Sequence, residues 1–290
     1  MKLFTKSFLA IFRRPSIMLF LGIIIGVLFY FSDPIASFIG QLMNMGYAPG
    51  ETLSLIEVFN NLVRILIYFL AVLNSPVNIL IFIGGLLGFS IVIGGLLALG
   101  FSGYFNSVFY ALDKKKSEKH SFLNGIKKYF FKIWKVNILF IIVSFITIIL
   151  TTVSIVPSIS LLSMKIESYH IWGIVFAIAT GLVLLFVSIY YTIYISFWYP
   201  SIYTVDSKPF SYAKKIADMH FLGIFVRFLL LLVILFIGNM LLDLIPKINF
   251  IVEPVVICKV VFYTVFGSFA VTYVFALFRY LDRQVKKAIQ

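Results

Sequence analysis

The chain has 290 residues, of which 62% are hydrophobic and 12% charged, and its mean hydropathy is +1.08. A soluble domain is nearer half apolar and a quarter charged, so this composition excludes a soluble globular protein and points to an all-α, polytopic membrane protein. The formal charge of +13 would suggest nucleic acid in a soluble chain; here it follows topology, no nucleic acid is expected, and the natural partner is an anionic lipid leaflet.

Residues 1–14 read as a short amphipathic surface helix. Phe4, Phe8, Ile11 and Phe12 share one side, and Lys2, Lys6, Arg13 and Arg14 supply a basic flank. Pro15 suits the first turn of a new helix. The apolar run after it resembles a signal peptide, but it is long and no small-x-small cleavage site follows, so an uncleaved first span over 16–31 is expected. Gly22 and Gly26 form a small-xxx-small pair that allows close helix approach. Residues 32–53 carry Asp33 and Glu51, no Lys or Arg, and the turn signals Pro34, Gly46, Pro49 and Gly50. They are expected as an outer loop.

Residues 54–73 are apolar enough to span, yet Glu57, Asn60, Asn61, Arg64 and Tyr68 fall on one stripe at helical spacing. Each central charge costs about 2.5–3.5 kcal/mol on the insertion scale, against a gain of about 0.3–0.6 for each aliphatic or Phe residue. The segment therefore reads as an amphipathic helix on, or dipping into, the outer side; a re-entrant segment packed in the bundle is the alternative.

The second span starts after Asn74-Ser75-Pro76, runs to about Leu99, and continues as helix to Leu112. Gly84, Gly85, Gly88, Ser90, Gly94 and Gly95 leave one flank nearly free of side chains. Tight helix packing is the plain reading, and a lining helix or hinge the sharper one. Next comes the longest polar interruption in the chain, 112–135, with Lys114, Lys115, Lys116, Lys119, Lys127, Lys128, Lys132 and Lys135. A loop this basic beside membrane spans stays on the cytoplasmic side and fixes the direction of every span. Within it Phe122, Ile126, Phe130 and Ile133 oppose Lys128, Lys132 and Lys135, as in an interfacial helix.

The third span is expected at 136–156, an outer loop at 157–170, and the fourth span at 171–199, ending in an aromatic belt from Tyr190 to Tyr199. Residues 200–220 are expected inside with Lys208, Lys214 and Lys215, the fifth span at 221–244, and the sixth at 255–278 after an outer turn holding Pro246, Lys247 and Pro254. The tail adds Arg279, Arg283, Lys286 and Lys287. Six spans place both termini inside, together with twenty of the 24 Lys and Arg residues.

The inner segments resemble one another. Ser7-Phe-Leu-Ala-Ile-Phe-Arg-Arg14 matches Ser121-Phe-Leu-Asn-Gly-Ile-Lys-Lys128, with a looser copy in Pro209-Phe-Ser-Tyr-Ala-Lys-Lys215. Returning spans end in Tyr110-Ala-Leu-Asp113, Tyr203-Thr-Val-Asp206 and Tyr280-Leu-Asp282. One integral domain, 1–290, built from three helical-hairpin units at 1–116, 117–206 and 207–290, is the expected organisation. The passage Ser196-Phe-Trp-Tyr-Pro-Ser-Ile-Tyr-Thr-Val-Asp206, followed by Pro209-Phe-Ser-Tyr-Ala213, resembles the membrane domain found beside glycerophosphoryl diester phosphodiesterases and the YciC-type bacterial membrane proteins. That resemblance implies an N-terminal surface helix and about six spans. It implies little about activity, since residues 1–290 include no phosphodiesterase catalytic domain.

Motifs for chemistry are sparse. His120, His170 and His220 are too scattered for one metal site; there is no HExxH, Cys pair or P-loop, and no cofactor is implied. The single Cys258 excludes an internal disulfide. Asp113, Asp206 and Asp282 are expected to cap helices or pair with neighbouring lysines. An outer polar cluster is expected from Glu57, Arg64, Asp243, Glu253 and Lys259, read either as a functional group or as residues snorkelling at interface depth. The expected function is a non-enzymatic membrane scaffold or accessory subunit. Lys2, Lys6, Arg13, Arg14, Lys127, Lys128, Lys132, Lys135, Lys214 and Lys215 would contact anionic lipid, a membrane protein partner would dock on it, and Gly22, Gly26, Gly84, Gly88 and Gly94 would pack helices. The alternative is a transporter or permease subunit.

Overall fold

A computed structural model describes residues 2–42, 74–113, 121–162, 167–205, 207–248 and 253–289. Among these the regular structure is entirely α-helical. The helices are α1 (Lys2–Arg13), α2 (Pro15–Leu42), α3 (Pro76–Leu112), α4 (Ser121–Leu162), α5 (Glu167–Thr204), α6 (Pro209–Met219), α7 (Phe221–Ile248) and α8 (Glu253–Ile289). Five of them, α3, α4, α5, α7 and α8, are long and apolar enough to cross a membrane. Counted as one span, the bent pair α1–α2 makes a sixth. The chain is thus a multi-pass, all-α membrane protein.

The bend between α1 and α2 is 83° and falls at Arg14. Pro15 has no N–H to continue the ladder, and the break is closed by Arg14 N–H to the Ile11 carbonyl at 3.1 Å and Ile17 N–H to the Arg14 carbonyl at 3.0 Å. The expected segment 54–73 lies outside the described residues.

Several boundaries move outward from the sequence expectation. Residues 32–42, expected as loop, continue α2 through Pro34 to Leu42. The stretch from Ile35 to Leu42 stays largely apolar, while turn residues cluster only from Gly46. Helix α4 likewise runs through Pro157 to Leu162 and α5 already begins at Glu167, leaving far less than the expected 157–170 loop. A proline removes one backbone hydrogen bond, but in an apolar setting any other conformation would free more of them. At the other end, α5 passes Pro200 to Thr204. There the Ser201 hydroxyl donates to the Trp198 carbonyl at 2.7 Å and the Thr204 hydroxyl to the Pro200 carbonyl at 2.9 Å. The 121–135 segment is not a separate surface helix; it is the first part of α4, continuous with the span.

Helix α3 has 37 residues and α4 has 42. At 1.5 Å per residue they are about 55 and 63 Å long, well beyond a hydrocarbon core of about 30 Å.

The chain divides into two compact units. The first comprises 1–31, 96–136 and 189–290. Its core is built on α8, which packs against α1, α6 and α7. Phe4 of α1 packs on Phe269 and Tyr273 of α8, and Ile11 joins Leu277, Leu281 and Val285 in one cluster. Both ends of the chain are therefore held together in this unit. Phe8 and Phe12, expected to share the face of Phe4 and Ile11, are instead exposed and touch each other with tilted rings, because α1 turns Ser7, Ala10 and Ile11 toward its neighbours.

The second unit comprises 32–95 and 137–188. Its described part joins the first half of α3 to the membrane part of α4. Asn137 is buried and its amide donates to the Gly94 carbonyl at 3.1 Å, and Phe82 packs on Phe145.

Candidate functional site

The first unit carries a polar belt where the helices end, and it begins with the ends of α3 and α8. Asp113, just past α3, receives two hydrogen bonds from Arg279 of α8, at 2.6 and 2.8 Å. The guanidinium also lies over the Phe109 ring, 3.6 Å from its centre. A bidentate pair with one face on an aromatic ring uses every feature that distinguishes Arg from Lys.

A second group joins α6 to α8. Asp282 is buried to 6% exposure, receives the Tyr212 hydroxyl at 2.5 Å and pairs with Lys286 one turn later at 3.0 Å. Helix α6 starts from Lys208, whose backbone is left-handed at φ 49°, and Pro209 occupies its first turn. Its Ala213, Ile216 and Ala217 are buried, which leaves Tyr212 at the edge within reach of Asp282. Burial and the neighbouring carboxylate push the Tyr212 phenol up to about 12, since both disfavour a phenolate. Tyr194 of α5 donates to Asp218 at the end of α6 in the same way.

Glycines and amides set how closely α3 and α4 approach in this unit. A Cβ on Gly125 would lie 2.6 Å from Asn106 Cβ and 2.7 Å from the Ser102 carbonyl, and one on Gly103 would strike the Phe122 ring at 2.7 Å. The Asn106 amide donates to the Ser121 carbonyl at 2.6 Å, capturing an acceptor in the first turn of α4. Tyr203 of α5 donates to the Ser102 carbonyl at 2.9 Å.

The residues expected to touch lipid fall largely on the surface of this unit. Arg13, Lys127, Lys128, Lys132, Lys135, Lys214 and Lys215 are exposed, while Lys6 and Arg14 are half-buried. Arg14 also donates to the Ser107 carbonyl at 3.4 Å. The side chain of Lys2 lies outside the described ones.

For the outer polar cluster, Glu57 and Arg64 lie outside the described residues. So do the side chains of Asp243 and Glu253, although their backbones belong to α7 and α8. Lys259 is half-buried on α8. The polar contact described between the second half of α7 and the first half of α8 is a different one: Tyr263 donates to the Asn239 side chain. Among the packing glycines, a Cβ on Gly22 would meet Thr264 at 3.2 Å, and one on Gly94 would meet Ile138 at 3.2 Å. Gly26, Gly84 and Gly88 have no described atom within 4 Å of that position.

Sequence reasoning passed over Arg227, Tyr212, Asn106 and Asn137 as site residues. It placed Asp282 beside its lysine, as found, but not Asp113 beside Arg279, 166 positions away. The repeated Tyr-to-Asp ending of the returning spans was the available signal, since it marks where each span meets the belt. Among the described residues no group of His, Cys, Asp and Glu could hold a metal ion. Comparisons with family models, curated proteins and solved structures find no match for this chain.

Proposed function

We propose that this chain is a non-enzymatic protein of the cytoplasmic membrane, with both termini inside, that gathers anionic lipid around its inner face and serves as a scaffold or accessory subunit for a membrane protein partner. One observation carries the reading. Asp113 and Asp282 are ion-paired within the unit and Asp218 accepts the Tyr194 hydroxyl, while seven basic side chains from α1, α4 and α6 are exposed. The net field at that surface is positive, and near an anionic leaflet each such residue adds about 1 kcal/mol.

The test is lipid selectivity of the full-length protein in mixed phosphatidylglycerol and phosphatidylcholine bilayers, read by quenching with brominated lipid. Wild type should enrich phosphatidylglycerol, less so at high salt. Replacing Lys127, Lys128, Lys132 and Lys135 together by Gln should remove most of the preference. Equal association of the two lipids with wild type would overturn the proposal.

A transporter subunit remains the second reading, on a separate observation. In the second unit an apolar groove of about 480 Å³ runs between α3 and α4, lined by Phe82, Gly85, Phe89, Phe140, Ser144 and Phe145. Its size and lining suit an acyl chain. Uptake of a lipid substrate that fails on enlarging Gly85 in a folded protein would favour this reading over the scaffold.

A further inference from the structure

Where α6 turns into α7 against the end of α8, the first unit holds a pocket of about 450 Å³. Asp218, His220, Arg227, Tyr280 and Gln284 all line it. Arg227 lies two turns into the apolar helix α7 and makes no hydrogen bond or ion pair with any described residue. A charge placed so deep is costly unless something answers it. Helical side chains tilt toward the helix start, so the Arg227 guanidinium reaches back toward His220 and the pocket. At the outer end stands the Asp218 carboxylate, exposed and bound on one side by Tyr194. A carboxylate accepts about four hydrogen bonds, so it has room for more. Gln284 donates to the Tyr280 oxygen at 2.8 Å, which leaves the phenol proton directed elsewhere. Met219 and Leu222, which line the pocket, are exposed, Leu222 at 75%, and Val226 one turn further along α7 is exposed as well.

The pocket thus presents a cation at depth, a carboxylate nearer the water and an apolar rim. We propose that it holds the headgroup of a zwitterionic phospholipid with a primary ammonium, such as phosphatidylethanolamine. The phosphate meets Arg227 and His220, the ammonium meets Asp218, and the acyl chains run down the face of Leu222 and Val226. A phosphatidylglycerol headgroup would satisfy Arg227 with its phosphate but offer Asp218 a neutral glycerol hydroxyl in place of an ammonium, losing the charge attraction. A choline headgroup would keep the charges but give Asp218 no N–H to accept. This site rests on α7 spanning the membrane and not on the lysine-rich surface. Failure of the phosphatidylglycerol test above therefore leaves it standing, and its own failure leaves that proposal standing.

The experiment is native mass spectrometry of the delipidated full-length protein in detergent, titrated with dioleoyl phosphatidylethanolamine, phosphatidylcholine and phosphatidylglycerol. With Lys127, Lys128, Lys132 and Lys135 replaced by Gln, so that the lysine surface no longer collects phosphatidylglycerol, the protein should bind the ethanolamine lipid about tenfold more tightly than the other two, the worth of one charge-assisted hydrogen bond. Arg227→Gln should lower all three affinities. Asp218→Asn, on an exposed side chain and checked for an unchanged unfolding temperature, should erase the preference over choline and raise phosphatidylglycerol to parity. Equal binding of the three lipids on that lysine-free background, or an ethanolamine preference that survives Asp218→Asn there, would overturn the assignment. Displacement of the lipid by millimolar inorganic phosphate would overturn it too, by showing a site for the free anion.

Discussion

The Asp113–Arg279 pair offers the sharpest test of the packing in the first unit. The side chains are 29% and 12% exposed, so the pair sits between a surface bridge, worth about 0–1 kcal/mol, and a buried one, whose rupture costs about 3–5. Asp113→Asn keeps the shape but strands a nearly buried guanidinium, which should cost about 2–3 kcal/mol. Arg279→Met loses the pair and the stacking on Phe109, the latter worth about 1 kcal/mol, but leaves only the more exposed carboxylate unpaired. The double variant removes both charges and should be no less stable than Asp113→Asn alone. The cycle should therefore show a coupling of about 2 kcal/mol, roughly thirtyfold in the unfolding constant. The assay is reversible unfolding of the four proteins in mixed micelles of increasing SDS content. Single effects that add to within about 0.5 kcal/mol would refute the idea that the two residues form one energetic unit.

Two further predictions concern the α6 contact and the glycines. The Tyr212 phenol titrates near 10 in an unfolded chain and is pushed up to about 12 in the fold, so its stabilising contribution is complete below pH 10 and is lost as pH rises toward 12. Wild type should lose stability relative to Tyr212→Phe over that interval, measured as the difference between their unfolding midpoints; parallel curves would contradict it. Gly94→Leu should destabilise by about 1–3 kcal/mol because its Cβ meets the Ile138 side chain and backbone, whereas Gly88→Leu should stay within about 0.5 kcal/mol. Thermal unfolding of the two variants side by side checks this, and an equal loss would mean that open space at Gly88 is closed by a neighbour.

The spans were legible because each is an apolar run bounded by basic residues, and insertion cost leaves few alternatives for such runs. Helix ends were less legible. Pro34, Pro157 and Pro200 are stop signals in water, but in an apolar setting the backbone continues because a stop exposes more polar groups than the proline does. The facing of α1 was misread for a related reason. Phe8 and Phe12 look like core residues by hydrophobicity, yet a membrane accepts them outside, and small residues such as Ser7 and Ala10 take the packed side. The close glycines were equally hard to rank. Gly103 and Gly125 sit under Phe122 and Asn106 while Gly84 and Gly88 meet nothing described, and no local pattern separates the two sets. Which glycine is crowded depends on where another helix crosses, and that is set by contacts distant in sequence.

The same physics explains why the belt is built from long-range polar pairs. Between apolar helices in lipid there is no hydrophobic gain to fix register, since lipid tails are as apolar as Leu. Register must come from small-residue packing and from hydrogen bonds made where the helices leave the membrane. Asp113 to Arg279, Asp282 to Tyr212 and Asn106 to the Ser121 carbonyl each join different helices or widely separated segments at such ends. Their inward-facing groups are consumed by the fold, whereas Lys132, Lys135, Lys214 and Lys215 are exposed. A residue that holds the fold and a residue that meets a ligand can therefore be told apart by partnership rather than by type. By that criterion Arg227, charged, two turns into an apolar helix, near the Tyr273 phenol but without a hydrogen bond or ion pair among the described residues, is the side chain whose placement packing alone leaves unexplained.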